Sequence, residues 1–67
     1  MTVSRVTEVI GHSTKSWDDA IATALGRAAK TLRNIETMEV KSQEAKVKDG
    51  KITEYLVKVN IYFVLEN

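Results

Sequence analysis

Few side chains in this sequence could do chemistry. His12 is the single imidazole, and there is no Cys. A lone His can titrate near neutral pH, but it has no second His or thiolate with which to build a zinc set or a nucleophile–base pair. A solvated turn residue is the plainer reading of His12. Asp18 and Asp19 could face a cation, and Glu36, Glu39 and Glu44 are spread along one later segment. Calcium takes about 6–8 oxygen ligands, so only convergence of several copies on a symmetry axis could assemble such a site. Arg27, Lys30 and Arg33 could touch phosphates. The basic residues are interleaved with acids, however, and ten Lys and Arg against nine Asp and Glu leave a net charge of +1. That balance supplies no field to attract nucleic acid or an anionic membrane. Trp17, Tyr55 and Tyr62 could stack on a planar ligand. No Gly-rich phosphate loop and no carboxylate pair at a defined spacing appears. The expectation is a binding protein and not an enzyme.

The elements that position these residues have to fit in 67 residues, which is room for a single domain spanning 1–67. Hydrophobic residues make up 43% of the chain, enough for a folded core. A core of this size supplies only about 3–5 kcal/mol by itself, and disulfides are excluded, so self-association is expected. No apolar run approaches the ~20 residues of a membrane span, and the first residues lack the apolar stretch of a secretory leader. The expectation is a soluble, cytoplasmic protein.

Thr2 to Ile10 reads as a strand rich in β-branched residues, ended by Gly11 and followed by a polar loop from His12 to Lys15. Its alternation is imperfect and leaves the buried face undecided. Ser16 to about Arg33 reads as a helix. Trp17, Ala20, Ile21, Ala24, Leu25, Ala28 and Leu32 form one apolar stripe of 3.6-residue period. Ser16 is placed to cap it, with Asp18 and Asp19 in the first turn and Lys30 and Arg33 in the last, as the helix dipole favours. Asn34 is suited to a left-handed stop. Ile35 to Val47 is a second strand with Met38 and Val40 on one face.

Asp49-Gly50 between two strand-like runs predicts a type I′ hairpin. Ile52 to Leu65 is the third strand. Its odd face carries Tyr55, Val57, Val59, Ile61, Phe63 and Leu65, and its even face Leu56, Lys58, Asn60, Tyr62 and Val64. That phase puts Tyr55 in the core and Tyr62 at a surface or interface. The fold class is therefore α+β in the order β-α-β-β, with the helix on the odd face of the third strand. Such a strand spans ~45 Å, whereas the helix covers ~27 Å. The sheet overhangs its helix unless it curls, and further copies of the chain are expected to cover what remains.

Three stretches together resemble the dodecin family. They are Val6 to Trp17, with Gly11-His12-Ser13 at its turn; Ala20 to Ile35, with an Ala-rich face and Arg27-Ala28; and Asp49 to Ile52 continuing through Tyr55, Val57 and Val59 to Phe63-Val64-Leu65-Glu66. The resemblance covers nearly the whole chain. It implies a three-stranded antiparallel sheet wrapped around one helix and a hollow homododecamer of cubic 23 symmetry. It also implies a role in small-ligand binding or storage, with flavin (FMN, riboflavin or FAD) held in pairs at two-fold interfaces. In the family a Trp stacks on the ring and a Gln bonds its edge.

The positions that match this flavin site are Thr37, in place of the Trp, Leu56, in place of the Gln, and Val64, where an Arg often stands. Thr37 has no aromatic face, and Leu56 has no hydrogen-bonding group. Some relatives without the stacking Trp are associated with metal ions. A shell that binds Ca²⁺, or serves only as a scaffold, is thus the alternative to a flavin-type site. Thr37 and Leu56 could line a smaller or apolar pocket at the same interface, or simply pack at a subunit contact.

Overall fold

The computed structural model describes residues 2–65; Glu66 of the C-terminal motif lies outside them. The turn that joins the last two strands is the expected one. Asp49 and Gly50 both have positive φ, 53° and 76°, as a type I′ hairpin requires. It connects β2 (Ile35–Lys48) to β3 (Lys51–Leu65). β1 (Val3–Ser13) pairs antiparallel with the other side of β3, so the sheet order is β1-β3-β2. The helix α1 (Trp17–Ala28) joins β1 to β2.

The odd face of β3 is the core, as its alternation predicts. Val57, Val59 and Ile61 are fully buried against Ala20, Ala24 and Ala28. Register settles which side of β1 turns inward. Val9 lies opposite Val59 and joins the core, while Val6 lies opposite Tyr62 and stays exposed with Ile10. Met38 and Ile35 of β2 pack on the same core.

Two boundaries differ from the sequence reading. β1 does not stop at Gly11 but continues through His12 and Ser13. Gly11 serves close approach instead, since a Cβ there would lie 2.2 Å from the Ala20 carbonyl oxygen. Gly next to the small face of Ala20 and Ala24 lets the helix settle directly on the strand. The helix ends at Ala28 and not near Arg33. Lys30 and Thr31 donate to the carbonyls of Arg27 and Ala28 in three-residue turns, and Leu32 donates to Ala28. Leu32 still reaches the core, so the apolar stripe outlasts the helix.

Neither Lys30 nor Arg33, expected in the last turn, lies in the helix; Arg27 is the basic residue there, and Leu25, counted in the stripe, is exposed. Asn34 is left-handed, with φ 61°, but it opens β2, where its carbonyl accepts from the Val64 amide. The N-terminus matches expectation: the Ser16 hydroxyl accepts from the Asp19 amide at 3.0 Å. Ser13 in turn donates to the Asp19 carboxylate at 2.7 Å, which locks the β1–α1 turn.

Twelve helical residues cover ~18 Å, against ~50 Å for a fifteen-residue strand. The protein is accordingly elongated, 52 × 19 × 13 Å, with a radius of gyration of 13.9 Å. A compact chain of this length would have about 11 Å. Among the described residues no helix is long and apolar enough to cross a membrane.

Candidate functional site

The sheet face opposite the helix gathers the polar and aromatic residues that the helix face excludes. Near the C-terminal end of β3, the Tyr62 hydroxyl donates to the Glu39 carboxylate at 2.9 Å, and the Asn60 amide reaches the same oxygen at 3.5 Å. The Tyr62 hydrogen bond, then the Lys41 charge and then the Asn60 amide hold the Glu39 carboxyl below its ordinary range. In the middle, Lys58 sits 3.5 Å from Glu44, which also accepts from the Ser42 hydroxyl. Toward the hairpin, Glu54 lies 3.2 Å from Lys46 and 3.4 Å from His12 Nδ1. The Lys46 hydrogen bond is the main cause of a lowered Glu54 pKa. Each of these three carboxylates is thus matched to donors from a neighbouring strand. Among the described residues no group of three acids or His stands where it could hold a metal ion.

Thr37 and Val64 share a cavity of about 290 Å³ with Ser4, Glu36, Tyr62 and Phe63. That volume lies at the lower limit for small-molecule pockets, roughly 300–1,000 Å³. Leu56 is not part of it. It is half-buried and lies opposite His12 on one side and Glu44 on the other. Six residues separate it from Tyr62, or ~20 Å along a strand. Within one chain the three positions therefore do not converge, and only a second copy could bring Leu56 beside the Thr37–Val64 cavity.

The remaining aromatics have structural partners. Trp17 donates its indole N–H to the Glu44 carbonyl at 2.9 Å and meets Tyr55 edge-on, ring centroids 4.9 Å apart. Tyr55 lies on the inner side of the sheet, as its strand phase predicts. His12 is a strand residue facing Glu54 and not a loop residue. The Glu39–Tyr62 pair was absent from the sequence reading, although a signal for it existed. The register shift after Lys46 is undone by the one between Val40 and Ser42. Counting back from the hairpin turn therefore places Glu39 opposite Asn60, as observed, with Tyr62 next on that face.

Comparison with known proteins agrees with this geometry. The dodecin family model matches residues 3–66. A dodecin of Thermus thermophilus is 36% identical over 64 residues, spanning 96% of this chain and 93% of that protein. A calcium dodecin of Mycobacterium tuberculosis is 38% identical over 64 residues, spanning 94% and 89%. In structure, a Thermus thermophilus protein superposes with a TM-score of 0.94 at 34% identity, covering 100% of this chain and 98% of the other. The Mycobacterium tuberculosis calcium dodecin superposes with a TM-score of 0.83 at 34% identity, covering 96% and 91%. That protein is a calcium-chelating antigen with a calcium-binding site.

Proposed function

Since the chain belongs to the dodecin family, we propose that it works as a non-enzymatic binding particle. In this reading twelve copies close into a hollow shell of 23 symmetry that holds a small ligand where copies meet. The observation that carries it is the uncovered sheet. Val6 and Ile10 are 53% and 49% exposed on the face that the helix does not reach, in a chain too short to be well stabilised by its own core. Identical copies cover such a face at no cost in additional sequence.

The ligand site is the Thr37–Val64 cavity, completed by Leu56 of another copy. A flavin is the ligand the family resemblance supplies, but these residues do not fit it. Each aromatic stacking contact contributes about 0.5–1.5 kcal/mol beyond burial, and Thr37 offers only a methyl and a hydroxyl. Leu56 leaves the polar ring edge unpaired. The site suits a smaller and more apolar molecule. Light scattering should give a mass near twelve chains; a stable monomer at working dilution overturns the shell. Thr37→Trp combined with Leu56→Gln should tighten riboflavin binding at least tenfold, read by fluorescence quenching. An unchanged affinity overturns the placement of the site.

A second reading has the Mycobacterium tuberculosis calcium dodecin behind it. Calcium needs about 6–8 oxygens, and no cluster within the described part of one chain supplies them. Any Ca²⁺ would sit between copies. Calorimetry of dialysed protein with Ca²⁺ tests this, and no heat of binding removes the cation and leaves a scaffold.

A further inference from the structure

Near its start, β2 turns two consecutive residues to its outer face. Ile35 and Met38 both pack on the core, three residues apart, whereas regular alternation turns every second residue inward. The register slips between them. Ile35 lies opposite Phe63, Thr37 opposite Tyr62 and Met38 opposite Ile61. Glu36 is the extra residue of a β-bulge, a device that re-aims a side chain. It shares the outer side with Thr37, and both line the cavity of about 290 Å³ beside Tyr62 and Val64.

Glu36 is the one charged residue among the described residues of that lining. The other carboxylates of β2 and β3 are occupied: Glu39 by Tyr62 and Asn60, Glu44 by Lys58 and Ser42, Glu54 by Lys46 and His12. Among the described residues Glu36 has no ion pair and no hydrogen bond, and the Thr37 hydroxyl has no partner either. Arg33 lines the adjoining hollow with Phe63, Val64 and Leu65, not this one. An uncommitted carboxylate pairs most strongly with a donor that is itself charged. A primary ammonium carries three such donors, and an aromatic ring such as that of Tyr62 attracts it further. The volume falls just below the roughly 300–1,000 Å³ of drug-sized pockets, which points to a molecule of single-ring size.

We propose that the ligand of this cavity is a small organic ammonium ion with an apolar body. The ammonium group donates to the Glu36 carboxylate and the Thr37 hydroxyl, and the body lies on Tyr62 and Val64. This rests on the ligand site placed above and gives its apolar molecule a cationic head. One carboxylate and one hydroxyl fall far short of the about 6–8 oxygens that calcium takes, so the charge recognised is that of an amine and not of a metal.

Calorimetry on the assembled full chain tests this with benzylamine, using benzyl alcohol and benzoate as neutral and anionic probes of similar size. A hydrogen bond to a charged group corresponds to about tenfold or more in affinity, so benzylamine should bind at least tenfold more tightly than either. Glu36→Gln should lose that factor at unchanged light-scattering mass and circular dichroism. Glu54→Gln, toward the hairpin, should bind benzylamine as wild type does. Equal affinity for the three probes, a preference for benzoate, or full affinity in Glu36→Gln overturns the proposal. An equal loss in Glu54→Gln also overturns it, since the acidic surface at large would then attract the amine. Failure of the site's placement shows separately, in the riboflavin test of the Thr37→Trp/Leu56→Gln variant. A twelve-chain wild type that does not take up benzylamine ends only the ammonium ligand.

Discussion

The two faces of β3 differ in how they are completed. On one, Val57, Val59 and Ile61 are buried to 0% exposure by three alanines and neighbouring apolar side chains of the same chain. On the other, Leu56, Lys58, Asn60 and Tyr62 remain half-buried, held by pairs such as Glu39–Tyr62 and Glu44–Lys58. The first face is closed by intrachain packing and specifies the protomer. The second is kept ordered by cross-strand hydrogen bonds and ion pairs, which in water contribute little stability each. It is the face on which the proposed ligand site lies.

This contrast can be broken most severely from the buried side. Ile61→Ala should cost about 2–5 kcal/mol by removing buried methyl groups and leaving a cavity, whereas Lys58→Ala on the opposite face should change stability by less than about 1 kcal/mol. Chemical denaturation of the two variants checks the ratio; equal losses would mean that the faces are not distinct. Gly11→Ala comes next. Its Cβ would meet the Ala20 carbonyl, so the helix has to move off the strand at a cost of about 1–3 kcal/mol. A melting temperature equal to wild type would show that the helix is not seated against β1.

The smallest effect concerns the outer face. Glu39 and Glu54 have pKa values lowered from 4.5, so their contribution to stability is present above about 4.5. It is lost as pH falls through the lowered folded-state values. Tyr62→Phe removes the main cause at Glu39 and should move that carboxyl back toward its ordinary range in an NMR titration. Stability below pH 4.5 should then decline less steeply than in wild type. A Glu39 titration curve identical to wild type would detach Tyr62 from it.

Several features were legible locally because nearest neighbours settle them. Asp49-Gly50 needs no tertiary context to prefer positive φ, and Ser16 caps the helix with the residues that follow it. β3 alternates cleanly, so its buried face followed from period two. The helix end was not legible, because Leu32 keeps the helical spacing while reaching the core from a turn. Gly11 was read as a stop because its conformational freedom and its lack of a Cβ look alike in a sequence; only the nearby Ala20 shows which one is used. The candidate site was legible as positions, Thr37, Leu56 and Val64, but not as a place. The ~20 Å between Leu56 and the cavity depends on strand register.

By itself the sequence determined the element order, the hairpin turn and the inward face of β3, since each depends on short-range sterics or on residue type. The tertiary structure decided where the helix stops, which side of β1 is buried, which carboxylate meets which donor, and that Leu56 lies apart from the Thr37–Val64 cavity. These are matters of long-range pairing, in which bulges and close approach rearrange neighbours that are far apart in sequence.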